Sequence, residues 1–209
     1  MRIDSLKNSP DRAGRYWVTF EDGTKLGLYR QTVEDFGLYI GKELSEEEKE
    51  ALLTAAGKMS AKMRAVRIVS ASNVSRRDLE ERLVRKGEDP QQAKEAVQWM
   101  EDLHLVDDRN TAEQVVHSCI SKGYGLARAK QALYEKQIPR ELWAEVLEDY
   151  PDQIGKITDF LHSRLGDSWE ERDLKRAIDA LLRRGHKYAE IRQALNALEL
   201  DTDDFPEGS

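Results

Sequence analysis

Cysteine is almost missing from this chain: Cys119 stands alone in 209 residues, so no internal disulfide framework can form. Long apolar runs are missing too. The opening MRIDSLKNSP has no apolar signal core, and charged side chains interrupt every stretch well before the roughly 18 apolar residues that a membrane helix needs, so the expected compartment is the cytoplasm, without membrane contact. Positive charge is not in excess. Lys and Arg number 33 against 40 Asp and Glu, a net of −7. Bulk charge therefore does not predict tight nucleic-acid binding, and any grip on phosphate must come from local basic patches.

The spacings that mark catalysis or metal binding are also lacking. His104, His117, His162 and His186 are scattered, and none belongs to an HExxH or other ligand set; His117 and Cys119, two apart on a helix, face different directions. Asp107 and Asp108 stand just before a helix expected from near Thr111, where carboxylates cap backbone donors and meet the positive end of the helix dipole. Capping fits them better than acid/base chemistry. Cys119 shares a stripe with Val115, Val116 and Ile120, which reads as a buried structural thiol. Gly123-Tyr124-Gly125 lacks the preceding strand of a dinucleotide site and reads as the end of one helix and the start of another. The expectation is a protein that is not an enzyme and holds no metal or cofactor.

What the chain does contain is one phrase written three times. A helical stripe, a basic turn usually containing Gly, and a second stripe recur in LEERLVRKGEDPQQAKEAV from Leu79, AKQALYEKQIPRELWAEVL from Ala129 and AIDALLRRGHKYAEIRQAL from Ala177. Leu83, Leu133 and Leu181 align at spacings of 50 and 48 residues, a period that signals an array of supersecondary units. Hydrophobic residues make up 39% and charged residues 35%, enough for one or two modest cores under much solvated surface. The fold expected is mainly α: tandem three-helix repeats in an elongated, curved array, with a small N-terminal β-hairpin. The divisions expected are a β-hairpin plus short helix over 1–57, three-helix repeats over 58–110, 111–153 and 154–200, and an acidic disordered tail over 201–209.

The hairpin is read from GRYWVTF and TKLGLYR flanking Asp22-Gly23, a pair suited to a type I′ turn. Two strands are seldom stable alone. Either Ile3 and Leu6 add a third strand, or Trp17, Leu26 and Leu28 pack on a following helix. Ser45 and Glu48 make a capping box for that helix, with Leu44 as a staple. First-helix stripes follow at Met59, Met63, Val66 and Val69, and at Ala112 to Ile120. Third helices are expected from Asp89-Pro90 and from Ile138-Pro139, the latter carrying Trp143, Val146, Leu147 and Tyr150. Gly87 and Gly185 hold the same turn position, where a residue without Cβ caps a helix in the left-handed conformation; the middle repeat has Gln137 there.

Charge is sorted along the repeats. Lys58 to Lys86 carries a net of +6, Gly87 to Gln114 a net of −6, Val115 to Arg140 a net of +4 and Glu141 to Gln153 a net of −5. Basic bands thus centre on second helices and acidic bands on third helices. Either they dock on a partner with protein and phosphate surfaces, or they are ordinary solvated faces that neutralise one another.

The run VDDRNTAEQVVHSCISKGYGLARAKQALYEKQIPRELW, Val106 to Trp143, resembles the signature of the RecX family of recombination regulators, and SRRDLEERLVRKG and IDALLRRGH match that family's flanking phrases. The resemblance covers most of Met59 to Leu198. Departures are Thr111 and His186 at places usually aromatic, and Gln137 at a usual glycine. The resemblance implies a regulator, a monomer, that binds the RecA filament on single-stranded DNA, with direct contact to DNA as a further expectation. It would lie in the filament groove and inhibit strand exchange, ATP hydrolysis and coprotease activity, with a part in DNA repair and the SOS response. Candidate contacts to RecA or DNA are Arg76 and Arg77 in the first repeat, Lys122, Arg128, Lys130 and Lys136 in the second, and Arg172, Lys175, Arg176, Arg183 and Arg184 in the third. Structural roles fall to Ser45, Gly87, Asp107, Asp108, Gly123, Gly125 and Gly185 as caps and turns. The alternatives are a sequence-tolerant DNA-binding protein and a helical-repeat adaptor for another protein.

Overall fold

In the computed structural model, which describes residues 1–9, 14–166 and 169–198, three strands come first. β1 (Ile3–Asn8), β2 (Arg15–Phe20) and β3 (Lys25–Tyr29) pair antiparallel in that order. The two-stranded hairpin expected from sequence is therefore an edge of a three-stranded sheet. Val18 sits opposite Leu6 on one side and Leu26 on the other, and Ile3, Val18, Phe20 and Leu28 are buried. Alternation along β2 sends Trp17 to the opposite face, where it is 48% exposed. Its ring lies over Gly27 of the neighbouring strand.

The β2–β3 turn differs from the type I′ expectation. Phe20 N–H donates to Thr24 O at 2.9 Å and Gly23 N–H to Phe20 O at 2.9 Å, giving a three-residue loop. Gly23 has φ +81°, while Asp22 stays at negative φ. A type I′ turn needs positive φ twice, and the longer loop places that requirement on glycine alone. Asp22 Oδ1 accepts instead from Thr24 N–H at 2.9 Å.

After the six-residue α1 (Arg30–Asp35) comes α2 (Glu46–Ala71), 26 residues long. Ser45 caps it in the expected reciprocal box, Glu48 N–H donating to Ser45 Oγ at 3.1 Å and Ser45 N–H to Glu48 Oε2 at 2.8 Å. The short helix assigned to 1–57 and the first helix of 58–110 are thus one helix. Its reason is visible in the packing. Leu52 and Ala56 join the core under the sheet, whereas Ala61, Ala65 and Ile68 join the core of the helices that follow. Leu52 and Ala61 are nine residues apart, about two and a half turns, so they face opposite ways. The apolar stripe changes sides near Gly57, and a stripe that changes sides imitates two helices.

α3 (Arg76–Arg85) and α4 (Pro90–Asp102) complete the first unit, Met1–Val106, with Leu79, Leu83, Ala93 and Met100 fully buried against α2. Asp89 caps α4 through Gln91 and Gln92 N–H, ahead of Pro90. A second unit begins at Asp107. It contains α5 (Asp108–Ser121), α6 (Leu126–Glu135), a 3₁₀ turn (Arg140–Leu142) running into the one-turn α7 (Trp143–Val146), α8 (Ile154–Leu165), α9 (Glu171–Arg183) and α10 (Tyr188–Ala197). Asp107 is the expected cap, accepting from Arg109 and Asn110 N–H at 2.8 and 3.1 Å, and Asp108 opens the first turn.

The full third helix expected after Pro139 is not formed. Glu145, Glu148 and Asp149 would load its C-terminal half with negative charge against the dipole, and Pro151 disfavours helical backbone at Tyr150. Trp143, Val146, Leu147 and Tyr150 still pack on Ala112, Val116, Leu133 and Ile138. The acidic tail over 201–209 lies outside the described residues.

The repeat is visible in the backbone. Gly87, Gln137 and Gly185 have φ of +89°, +56° and +85°. The residue after each donates its N–H to the aligned leucine carbonyl: Glu88 to Leu83 at 3.1 Å, Ile138 to Leu133 at 3.0 Å and His186 to Leu181 at 3.2 Å. This is the Schellman pattern, which satisfies helix-end carbonyls that would otherwise be orphaned.

Candidate interaction surface

The second helices α3, α6 and α9 carry most of the candidate cations because their inner faces are taken by leucine and alanine. Leu79 and Leu83, Ala129 and Leu133, and Leu174, Ala177, Ile178 and Leu181 are buried, which turns the intervening Arg and Lys outward. Each of the three helices also ends on a cation at its C-cap, namely Lys86, Lys136 and Arg184. A positive side chain there complements the negative end of the dipole.

Outward does not mean unpaired. Arg76 Nη1 lies 3.1 Å from Glu101 Oε1 and Arg77 Nε 3.1 Å from Glu81 Oε1. Arg128 Nη1 bonds Glu135 Oε1 at 3.0 Å, which holds the Glu135 carboxyl below its usual range and raises the guanidinium above its own. Arg172 and Arg176 make looser pairs with Glu170 and Asp173 at 3.6 and 3.7 Å. Arg184 stacks over the Phe160 ring at 4.5 Å. Lys122, Lys130, Lys175 and Arg183 are exposed, and Lys136 is half-buried. Exposed pairs of this kind contribute little to stability and open readily to a better anion.

Gly123-Tyr124-Gly125 is a joint between repeats. Gly125 is the N-cap of α6 and offers no side-chain cap. The orphan donors are met by the C-terminal carbonyls of α9: Gly125 N–H donates to Arg184 O at 2.9 Å and Ala127 N–H to Gly185 O at 3.3 Å. A positive helix end therefore meets a negative one. The approach is so close that a Cβ at Gly125 would strike the Gly185 carbonyl, and one at Gly185 would strike the Arg128 backbone. Two side chains fasten the same joint. His186 Nε2 is 3.0 Å from Gly123 O, and the Tyr150 hydroxyl donates to Tyr124 O at 2.7 Å. Burial lowers the His186 pKa, so the ring sits neutral and donates through Nε2. Burial and the nearby Cys119 push the Tyr150 phenol up to about 12. Cys119 is itself buried, and its thiol pKa is raised by the same desolvation. The joint uses Lys122, Arg128 and Arg184 as neighbours, bringing together candidates from the second and third repeats. Arg76 and Arg77 lie in the other unit.

A basic cleft was not singled out by sequence reasoning. Arg64, Arg67, Arg82, Arg85 and Lys86 line a space of about 550 Å³ between α2 and α3. The signal was present as the +6 band from Lys58 to Lys86, but spacing alone did not reveal that the Ser72–Ser75 turn folds its two halves onto one another. Among the described residues there is no group of three or more His, Cys, Asp or Glu placed to hold a metal, and no helix long and apolar enough to cross a membrane.

Comparison with known proteins places this geometry. The RecX second three-helix domain matches residues 107–147, the segment that supplies the Gly123–Gly125 side of the joint. The regulatory protein RecX of Clostridioides difficile (strain 630) is 25% identical over 98% of this chain and 97% of its own length. That of Halorhodospira halophila is 28% identical over 75% of this chain and all of its own length. A crystal structure of regulatory protein RecX shares the fold with a TM-score of 0.63 at 19% identity, covering 93% of this chain and 98% of that one. RecX from Lactobacillus salivarius gives 0.59 at 22% identity, over 69% and 98%. The resemblance to the RecX family, and the mainly helical fold with its small sheet, are borne out.

Proposed function

From its likeness to the RecX regulatory proteins, we propose that this chain binds RecA assembled on single-stranded DNA and restrains the filament's ATPase, strand exchange and coprotease activities. One observation carries the reading. In the segment that matches the family's second domain, the Gly-Tyr-Gly motif is spent on joining repeats, while α6 turns Arg128 and Lys130 outward beside Lys122. A module whose glycines serve stacking and whose cations face out is suited to lying along a repetitive, phosphate-bearing partner. Several anchors spread over separate helices can each be weak and still give tight binding, because the later contacts form at high effective concentration.

The test is ATP hydrolysis by RecA on single-stranded DNA, titrated with this protein from well below stoichiometric to equimolar. Inhibition at substoichiometric amounts is expected. Replacing Arg76, Arg77, Arg128 and Lys130 together by Ala should weaken inhibition and leave helicity intact, because all four lie on outer helix faces. Undiminished inhibition by that variant rejects the contact assignment; no inhibition by the unaltered protein rejects the reading itself.

A further inference from the structure

The cleft between α2 and α3 has features that neither helix capping nor the joint explains. Two of its guanidiniums are fixed by buried or half-buried acids. Arg64 Nε lies 2.6 Å from Glu88 Oε1, close though poorly aligned as a hydrogen bond, and its Nη1 donates to Lys86 O at 2.9 Å. Arg82 Nε bonds Asp78 Oδ1 at 2.7 Å, and its Nη1 reaches Ser72 Oγ at 3.3 Å. Arg67 is held by neutral groups only, the Met63 carbonyl at 3.2 Å and the Tyr29 hydroxyl at 3.2 Å. Arg85 and Lys86 are exposed at the rim. Among the described residues, no carboxylate pairs with Arg67, Arg85 or Lys86. Five cations thus surround one hollow with two acids to balance them.

The dipole of α3 accounts for Arg82, Arg85 and Lys86, which stand in its last turn. It does not account for Arg64 and Arg67, which lie along α2 and point into the same hollow. Their convergence brings like charges together, which is unfavourable unless an anion fills the space. Four of the five are arginines, whose planar forks suit phosphate oxygens, and Ile68 and Ala71 supply an apolar floor. A space of about 550 Å³ falls in the size range of small-ligand sites, with room for one nucleotide unit. A duplex, being convex and wide, would touch only the rim.

We propose that this cleft binds the phosphodiester backbone of a single-stranded nucleic acid, with Arg67, Arg85 and Lys86 neutralising successive phosphates and Arg64 and Arg82 shaping the walls. The inference goes beyond the reading above, since it needs no recombinase. The two fail separately: strand binding through the cleft can hold where ATPase inhibition is absent, and inhibition can hold where the strand does not bind.

The test uses the full chain and a fluorescein-labelled oligothymidylate, with anisotropy measured across a series of salt concentrations. Each phosphate neutralised on a single strand contributes about 0.7 to the slope of log affinity against log salt. Arg67→Gln/Arg85→Gln/Lys86→Gln should therefore lower the slope by about 2 and weaken binding at low salt at least about tenfold. A control on the sheet, Lys7→Gln/Lys25→Gln, which removes as many charges as the rim pair Arg85→Gln/Lys86→Gln, should leave the slope unchanged. If circular dichroism shows the triple variant misfolded, the rim pair Arg85→Gln/Lys86→Gln is read alone, with an expected fall of about 1.4. A slope that is unchanged, or that falls equally in the control, overturns the proposal. So does displacement of the strand by polyglutamate as readily as by unlabelled oligothymidylate, which would assign the cleft to an acidic peptide.

Discussion

Gly125→Ala is the sharpest perturbation of the joint, because the glycine is there for space and not for its backbone angle. Its φ is −76°, which alanine adopts without strain. A Cβ at this position would strike the Gly185 carbonyl and the His186 backbone nitrogen, and none of those atoms belongs to a flexible side-chain end. Either the overpacking persists, at about 1–3 kcal/mol, or the turns part. Parting loses the bonds from Gly125 N–H to Arg184 O and from Ala127 N–H to Gly185 O, each contributing about 1 kcal/mol. With the burial they seal, the total loss is about 2–4 kcal/mol. Gly87→Ala is the natural comparison. Gly87 has φ +89° and open space around its Cα, so alanine there costs only the left-handed conformation, about 1–2 kcal/mol. Reasoning from φ alone predicts the opposite order, with Gly125 the harmless site. Urea unfolding of the two variants, together with hydrogen exchange at the Gly125 and Ala127 amides, decides between them. If Gly125→Ala is the milder substitution, or if both amides stay as protected as before, the close approach is not what holds the repeats together.

Two further outcomes follow from the same region. His186 is buried with its pKa below the ordinary 6.5, mainly through desolvation and further through Arg184, against the pull of Gly123 O and Glu190. On acidification the unfolded chain takes up the proton first, so this contribution is whole above about pH 6.5 and is lost progressively as pH falls through the lower folded value. The urea midpoint should drop more between about pH 7.5 and pH 5.5 in the natural chain than in His186→Gln; equal drops would show that the histidine is not the sensor. Gln137, at φ +56° where the other repeats have glycine, should gain about 0.5–1 kcal/mol on replacement by Gly, read as a higher urea midpoint, and a lower midpoint would mean that its side-chain contacts outweigh the backbone.

The repeat was legible in sequence because it is written in local signals. A leucine, a cation and a left-handed turn recur at fixed offsets, and the structure turns each into the same pair of backbone bonds at Leu83, Leu133 and Leu181. Caps such as Ser45, Asp89 and Asp107 were equally readable, since a cap involves only the next three residues. What spacing could not reveal depends on parts distant in the chain. The closeness of Gly125 to Gly185 spans 60 residues, and nothing local distinguishes a glycine kept for packing from one kept for its φ. The failed helix after Pro139 shows a related limit: Trp143, Val146, Leu147 and Tyr150 had helical spacing and did pack, while charge and Pro151 decided the backbone. The cleft was hidden because its walls come from two helices, each of which reads alone as a solvated basic face.

The change of sides along α2 has a consequence for how this chain can vary in length. One rigid rod is keyed to the sheet core at Leu52 and to the helical core at Ala61, half a turn out of phase. Removing or adding one residue between those positions would twist one key about 100° against the other. The sheet or the first repeat would then present a polar face to its own core. Length changes within 53–60 are therefore tolerated only near whole turns, roughly seven or eleven residues at a time. The interval behaves like the pitch between two teeth on one shaft, where the spacing matters more than the identity of the metal between them.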